Sequence, residues 1–186
     1  MLSVVTPLVS TAGELLRDEF FRPGGLRMDG ADAIIDLEVE RYLRDEITRL
    51  YPEMGFRAEE EPELNREPHP GGDLLWLLDP HDGTKAASKG YRGASVSLAL
   101  VKAGTPILGL VYAYAPQMGG GDLITWAEGL PAVQRNGQSV SRNEREVKIA
   151  LVSKHADRQA LSYIEALDGM GYLTSPGIAY RLARVA

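Results

Sequence analysis

The stretch WLLDPHDGTK, residues 76–85, decides both the predicted fold and the predicted site of this sequence. Its apolar beginning belongs to LLWLLD at 74–79, a continuous apolar run of strand length. Pro80 cannot donate to a sheet ladder, so we expect the strand to end at Asp79. The strand would therefore deliver Asp79 to the edge of a sheet, and the following turn would bring Asp82 back near it.

Two neighbouring carboxylates require a partner of opposite charge. Their charges repel, which pushes one carboxyl group towards its protonated form. Mg²⁺ removes that cost, because it prefers oxygen ligands and is often held by a few carboxylates together with substrate phosphate oxygens. Glu59 and Glu60, in GFRAEEE at 55–61, lie at the end of the preceding predicted strand. If the two strands are neighbours, a third carboxylate joins the predicted metal site.

The residues behind the aspartates suit a phosphate group. Gly83 is followed by TKAAS, which is typical of a short helix start whose backbone N–H groups bind an anion. Thr84 would hold an attacking water molecule, and Lys85 would add positive charge. For His81 we expect a role of the backbone alone, with the side chain directed away.

Simpler interpretations compete with this one. An Asp-Pro-x-Asp-Gly string also forms plain turns, because these residue types favour turns, and the EEE run alone is typical of a solvated face. Haloacid-dehalogenase-type phosphatases carry DxDGT after an apolar strand and would form an aspartyl-phosphate at Asp79. The spacing here is DxxDGT, and the later GDxxxD of that family is missing. We therefore favour the metal site.

Composition narrows the class of protein. The 186 residues carry a net charge of −6 and no cysteine, which excludes disulfides, thiolate metal sites and a cysteine nucleophile. No basic surface is indicated for a nucleic acid polymer, and no apolar run has membrane-spanning length. We expect a soluble, cytoplasmic protein without a membrane partner. The final apolar run, AYRLARVA, has no helix cap, so we expect the chain to be cut there.

The order of elements favours one fold class. Apolar residues at helical spacing predict a first helix, from about Val5 to Phe20, and a second one with a stripe from Val39 to Leu50. Strands follow, including a pair joined by a tight turn at 102–105 and a hairpin at Asn136-Gly137. The remaining elements predicted are a strand over VKIALVS at 147–153 and a helix over about 157–167. Helices first and strands afterwards predict an α/β protein of the α+β layered-sandwich kind.

DPHDGT at 79–84 resembles the DP[IL]DGT signature of the inositol monophosphatase-like family, the lithium-sensitive, Mg²⁺-dependent phosphatases that include 3′(2′),5′-bisphosphate nucleotidases of the CysQ type. Further stretches resemble that family's pattern: DGADAIIDLEVER at 29–41, AEEE at 58–61, the strand pair at 95–116, WAEGLPAVQRNGQSV at 126–140 and SPGIAYRLARVA at 175–186. The resemblance thus covers most of the chain.

The resemblance implies a fold of alternating helix and sheet layers, as in the sugar phosphatases. It also implies an N-terminal α+β domain over 1–145 that carries the metal motif, followed by the start of a C-terminal α/β domain over 146–186. The family's later Trp-Asp-x-Ala motif lies beyond the end of this sequence, so we expect the C-terminal portion to be incomplete.

The resemblance further implies metal ligands. Glu59, Asp79 and the backbone carbonyl of His81 would hold a first Mg²⁺, and Asp79 with Asp82 would hold a second. The family binds two or three ions in this way. The implied metal site thus combines carboxylate oxygens with one carbonyl oxygen.

The resemblance also implies catalytic roles. Thr84, supported by Asp36 and Glu60, would orient the nucleophilic water, with Glu59 as a catalytic metal ligand. Gly83, Thr84 and Lys85 would bind the phosphate: these residues complete the implied active site.

The implied activity is that of a phosphoric monoester hydrolase. Its substrate would be a small phosphorylated metabolite, either an inositol monophosphate or a 3′(2′),5′-bisphosphonucleoside, and a homodimer is compatible with the resemblance. The alternative is a truncated, non-catalytic family member that binds metal or phosphate, or that serves as an interaction module.

Overall fold

A seven-stranded mixed sheet, with its strands in sequence order, forms the centre of the protein. The computed structural model describes residues 1–30, 32–117, 119–140, 149–153, 162, 165, 167 and 170–186. Its elements in chain order are α1 Leu2–Phe21, β1 Met28–Asp29, β2 Asp32–Ala33, α2 Ile34–Leu50, β3 Gly55–Ala58, a 3₁₀ turn Pro62–Leu64, β4 Leu74–Asp82, α3 Thr84–Ala87, β5 Ser95–Lys102, β6 Thr105–Ala113, β7 Asp122–Ala127, β8 Gln134–Arg135, β9 Gln138–Ser139, β10 Ile149–Val152, β11 Gly171–Thr174 and α4 Ile178–Ala183.

Helices α1 and α2 cover one face of this sheet. The predicted apolar stripes form their buried sides, since Val5, Val39 and Ile47 are fully buried in the main core. Full burial of such side chains contributes about 1.5–3 kcal/mol each, so these stripes hold the helices on the sheet. Leu15 and Leu50, which the pattern also assigned to the stripes, are exposed instead.

Helix α4 lies on the opposite face. Tyr180 packs against Ala113 and Ile124. Successive side chains of a strand point to opposite faces of the sheet, so the residues next to these two in their strands face the other way. The Tyr180 hydroxyl donates to Asp122 Oδ2 at 2.6 Å, and Arg135 donates to the same carboxylate at 2.7 Å. This buried polar contact fastens α4 to the sheet.

The strand that carries the motif does not end where it was expected to end. We predicted a stop at Asp79, but β4 continues through Pro80 to Asp82. The pairing with β5 shifts register between Asp79 and Asp82, which is a β-bulge or a similar irregularity. Because a ladder is already interrupted at such a place, proline's missing N–H costs little there. The prediction was wrong because single-strand reasoning does not anticipate an irregularity.

The predicted fold class is confirmed, with helices layered on a mixed sheet. The tight turn at 102–105 and the strand at 149–152 are present. Strands β10 and β11 form a separate parallel pair. The predicted helix over about 157–167 lies almost wholly outside the described residues, as does the predicted domain boundary at 145, and the two-domain division stays a prediction. Among the helices described, none has the length and apolar character needed to cross a bilayer.

Candidate active site

Two parallel strand ends bring the carboxylates together. β3 and β4 pair in parallel, with Ala58 opposite Leu78, so Glu59 and Asp79 leave the sheet at the same edge. Parallel neighbours present their carboxyl ends side by side, so the condition that the sequence analysis set for a third carboxylate is met. A loop and a 3₁₀ turn, 59–73, separate the two strands in sequence, and only the sheet makes the carboxylates neighbours.

Asp79 has the most perturbed environment of these carboxyl groups. Burial, and then the negative charges of Asp82 and Glu59, raise its pKa to about 7. The backbone N–H of His81 donates to Asp79 Oδ1 at 3.0 Å and opposes part of that increase. The charges that act most strongly on this pKa, those of Asp82, Glu59 and Asp36, are all negative. An uncompensated cluster of this kind is the electrostatic signature of a place where a cation binds.

Glu60 is perturbed in the same direction. Its pKa is raised to about 7 by burial, and then by the charges of Asp36 and Glu59. Glu60 therefore lies close to the aspartate at the start of α2, as the predicted roles require. A carboxyl group with a pKa near neutrality is suited to exchange a proton at physiological pH.

A buried ion-pair network fixes the segment that carries these glutamates. The fully buried Glu40 accepts the backbone N–H groups of Glu60 and Glu61 at 2.7 and 3.0 Å, and it is ion-paired with Arg44. Glu61 pairs with Arg41 and, at 2.8 Å, with Arg44. The third glutamate of the run is therefore structural, and only Glu59 and Glu60 remain for the site.

Asp82 connects the site with the C-terminal helix. Its Oδ2 accepts the backbone N–H of Ala179, in the first turn of α4, at 2.6 Å. A Cβ at Gly177 would lie 3.0 Å from the same oxygen and 2.8 Å from the carbonyl oxygen of Gly93. Glycine at this position thus allows the chain to approach the motif closely. Residues 97 positions apart in sequence meet here.

Thr84 is held by two oxygen atoms. Its hydroxyl lies 2.8 Å from Asp36 Oδ2 and 2.8 Å from the carbonyl oxygen of His81. One hydroxyl hydrogen serves two acceptors at this place. Asp36 stands in the first turn of α2, where the helix dipole favours a negative charge.

The side chain of His81 differs from our expectation. We expected it to point away, but the residue is buried, with Nδ1 2.5 Å from Asp36 Oδ1 and Nε2 2.6 Å from the Tyr114 hydroxyl. The sequence reasoning missed this role of the ring and missed Tyr114 altogether. The available signal was the motif itself, since a histidine stands where the DP[IL]DGT pattern has an apolar residue.

Gly83 and Lys85 complete the predicted phosphate site. Gly83 has φ +104°, in the left-handed region, and leads directly into α3. Lys85 is exposed in that helix. The structure thus places all predicted residues around the end of β4, with Lys85 at the outer side.

Gly83→Ala is expected to destabilise the protein by about 1–3 kcal/mol, because a side chain strains this backbone conformation. The new Cβ would also lie 3.3 Å from both Ala94 Cβ and Gly177 N. Urea unfolding measures the change. Gly24→Ala is the matched control, since Gly24 has φ +92° but a Cβ added there would meet no atom within 4 Å. Equal losses in both variants would show that the close packing around Gly83 contributes nothing.

The donor set suits a hard divalent cation. It consists of carboxylates and the carbonyl of His81, all of them oxygen ligands. Across the part of the chain that the structure describes, no three His, Asp or Glu side chains form a ready-made metal cage. Mg²⁺ does not require one, because it commonly keeps several water molecules and is bound through one or two carboxylates plus substrate phosphate. The residues present therefore fit a cation of this kind.

Comparison with known proteins places these features in a class. The fold resembles that of an IMPase from Thermotoga maritima, with a TM-score of 0.73 and 26% identity over 97% of this chain and 70% of that one. A 3′(2′),5′-bisphosphate nucleotidase CysQ from Escherichia coli O157:H7 is 30% identical over 100% of this chain and 76% of its own length. The corresponding protein of strain K12 is 31% identical over 81% of this chain and 60% of its own length. These relatives are phosphatases, which belong to the phosphoric monoester hydrolases, the enzyme class that the sequence predicted.

The particular family follows from the whole-chain pattern. The model of the inositol monophosphatase family matches residues 1–169, and the chain belongs to this family. Both the predicted family and the predicted enzyme class are confirmed at this level. Members of the family generally depend on a metal. The chain spans 60–76% of the length of the curated relatives named here.

Proposed function

We propose that this chain is a Mg²⁺-dependent phosphomonoesterase that hydrolyses a small phosphorylated metabolite by attack of a water molecule. One observation carries the proposal: Asp79 lies among other carboxylates, and burial together with the negative charges of Asp82 and Glu59 raises its pKa to about 7. Without a divalent cation, the repulsion between these carboxylates destabilises the folded protein. A bound divalent cation would remove this repulsion and would create a site for phosphate hydrolysis.

The proposed ligands are those that the sequence indicated. Glu59, Asp79 and the carbonyl of His81 would hold one Mg²⁺, Asp79 and Asp82 a second, and two or three ions would be bound in all. Bound Mg²⁺ would supply Lewis-acid activation of water and would neutralise charge on the phosphate. Asp82 would use the oxygen that α4 leaves available, because its Oδ2 already accepts from Ala179.

The chain's own residues would orient and deprotonate the water. When the Thr84 hydroxyl donates its hydrogen to Asp36, its lone pairs are free to accept from a water molecule. Glu60, which is near enough to Asp36 for their charges to interact, would receive the proton. Backbone N–H groups of Gly83 and Thr84, together with Lys85, would bind the phosphate.

The substrate class is proposed from the relatives. The two relatives from Escherichia coli, which match 100% and 81% of this chain, are named 3′(2′),5′-bisphosphate nucleotidases. A Thermotoga maritima relative, 40% identical over 81 residues, is named a fructose-1,6-bisphosphatase/inositol-1-monophosphatase. We propose a 3′(2′),5′-bisphosphonucleoside or an inositol monophosphate. Lithium sensitivity, a cytoplasmic location, a homodimer and the absence of nucleic acid or membrane partners stay predictions.

A second candidate is a non-catalytic module. The chain covers 60% of the length of one relative, and it would then bind metal or phosphate without turnover. Calorimetric titration with Mg²⁺ and inorganic phosphate, combined with an activity assay, separates the two candidates. Binding without turnover favours the module.

The test is phosphate release from inositol 1-phosphate, 3′-phosphoadenosine 5′-phosphate and fructose 1,6-bisphosphate. We expect turnover with Mg²⁺ that ceases when a chelator removes the metal, returns when Mg²⁺ is restored, and decreases with Li⁺. Asp82→Asn removes a proposed metal ligand, so this variant should lose the Mg²⁺-dependent turnover. Glu67→Gln, an exposed acid paired with Arg57, is the control and should keep it. Undiminished turnover in the chelator would contradict the metal mechanism, and a folded protein inactive on all three compounds would contradict the phosphatase.

A further inference from the structure

We infer that the imidazole of His81 is a positioning residue, which fixes the Asp36 carboxylate so that Asp36 in turn orients the Thr84 hydroxyl. The inference rests on the proposed function, because it assigns a task in orienting the attacking water. It goes beyond the backbone role of His81, since it concerns the side chain. In the DP[IL]DGT pattern this position is apolar, so an apolar residue there would lack the contact.

The hydrogen bonds define one tautomer of the ring. The Asp36 carboxylate only accepts, so the nitrogen 2.5 Å from it, Nδ1, carries the hydrogen. Nε2 then has a free lone pair, and it accepts from the Tyr114 hydroxyl at 2.6 Å. In this arrangement the ring donates at Nδ1 and accepts at Nε2.

These bonds connect Tyr114 with the proposed water site, and the donations from both ends converge on Asp36. Tyr114 donates to His81, His81 donates to Asp36 Oδ1, and Thr84 donates to Asp36 Oδ2 at 2.8 Å. With both oxygens of Asp36 engaged, the carboxylate has a fixed orientation. Such a network is strong inside a protein because the low dielectric strengthens each bond.

The position of Asp36 decides where the Thr84 hydrogen goes. The hydroxyl has a competing acceptor, the His81 carbonyl oxygen, at the same distance of 2.8 Å. If Asp36 rotates, the hydrogen turns to the carbonyl, which is also a proposed metal ligand, and the lone pairs of Thr84 change direction. The His81 ring prevents that rotation. Loss of the ring would therefore affect the chemical step more than substrate binding.

Three substitutions separate the two ring contacts, and all of them retain the backbone carbonyl. His81→Leu removes both contacts. His81→Asn retains a donor near the position of Nδ1 and so keeps the contact with Asp36. His81→Gln reaches the position of Nε2, towards Tyr114, and loses the contact with Asp36.

We expect kcat to fall about 10- to 100-fold in His81→Leu and in His81→Gln, with KM nearly unchanged, as is usual when a residue supporting the site is lost. His81→Asn should retain most of the wild-type kcat. Tyr114→Phe should cause a smaller loss than His81→Leu. The matched control is Tyr112→Phe, whose hydroxyl donates to Glu14 in α1 and not to the ring of His81, and it should behave as wild type.

A spectroscopic measurement tests the contact without turnover. Long-range ¹H–¹⁵N NMR spectra should show His81 as the Nδ1–H tautomer with a hydrogen protected from exchange, and Asp36→Ala, which removes the acceptor, should remove this protection. Equal kcat in wild type and His81→Leu, or equal losses in His81→Asn and His81→Leu, would overturn the positioning role. Should His81→Leu fail to fold, the comparison of His81→Asn with His81→Gln decides.

The two possible failures are distinguishable. An active wild-type enzyme with an unchanged His81→Leu overturns the positioning role and leaves the phosphatase intact. A wild-type protein inactive on all compounds overturns both, and the NMR spectra then report only whether the His81–Asp36 contact exists. An Nε2–H tautomer in an active enzyme contradicts the assigned hydrogen bond from His81 Nδ1 to Asp36.

Discussion

Asp79→Asn should abolish phosphate release and yet stabilise the metal-free protein at neutral pH. The loss should be roughly a thousand-fold or more, since metal ions contribute several kcal/mol to such reactions and each 1.4 kcal/mol is a factor of ten. The gain in stability arises because the substitution removes a carboxylate that burial and the charges of Asp82 and Glu59 make costly to ionise. We expect a gain on the order of 2 kcal/mol after solvent screening of a partly exposed group.

The same carboxyl group predicts a pH dependence. In the folded protein Asp79 keeps its proton up to about pH 7, whereas its ordinary pKa is 3.8. Between these two pH values the folded state thus binds more protons than the unfolded state. The stabilisation that results from this proton is fully present below about pH 4 and disappears as pH rises through about 7. The free energy of unfolding of the metal-free wild type should decrease relative to Asp79→Asn between these values.

Urea unfolding in a chelator at pH 5 and pH 8 measures this difference. Asp73→Asn is the matched control, because Asp73 is an exposed aspartate at the start of the same strand, and it should follow the wild type. A constant difference between Asp79→Asn and wild type across this range would refute the assigned cause. Saturating Mg²⁺ should reverse the order, since only the wild type gains stability from binding it.

Glu40→Ala should have the largest effect on folding, a loss of about 3–5 kcal/mol in the free energy of unfolding. Glu40 is fully buried, pairs with Arg44 and accepts two backbone N–H groups. Its removal leaves the buried guanidinium of Arg44 with Glu61 as its carboxylate partner among the described residues. The backbone N–H groups of Glu60 and Glu61 lose their acceptor as well. Since Glu60 follows the end of β3, activity should fall as well.

Glu46→Ala is the control for Glu40→Ala. Glu46 stands in the same helix and pairs with Arg49, whose side chain is 65% exposed. Surface ion pairs contribute about 0–1 kcal/mol, so this variant should stay close to wild type. A loss below about 1 kcal/mol in Glu40→Ala would mean that the network does not anchor the segment of Glu59 and Glu60.

Local sequence patterns were sufficient to predict the main helices and strands and to identify most of the candidate metal ligands. The period of the apolar residues predicted α1 and α2, and the apolar run before Asp79 predicted a strand. These signals are local, because helix and strand periodicities repeat within a few residues. The motif residues Asp79, Asp82 and Thr84 were found in the same way.

The contacts between distant segments followed only from the tertiary structure. The Asp82–Ala179 contact joins residues 97 positions apart, and the His81–Asp36 contact joins residues 45 positions apart. The pairing of the His81 ring with Asp36 and Tyr114 was unpredictable because no local pattern reports which buried side chain faces which. The continuation of β4 through Pro80 has the same origin, since the register shift depends on the neighbouring β5.

The sequence by itself thus determined the types and order of the elements and the identity of the carboxylates, because periodicity and turn chemistry are properties of neighbouring residues. Only the tertiary structure decided which carboxylates share one environment, which glutamate of the EEE run is structural, and where the His81 ring points. Burial and charge proximity raise the pKa values of Glu60 and Asp79 to about 7, and both are properties of the packed chain.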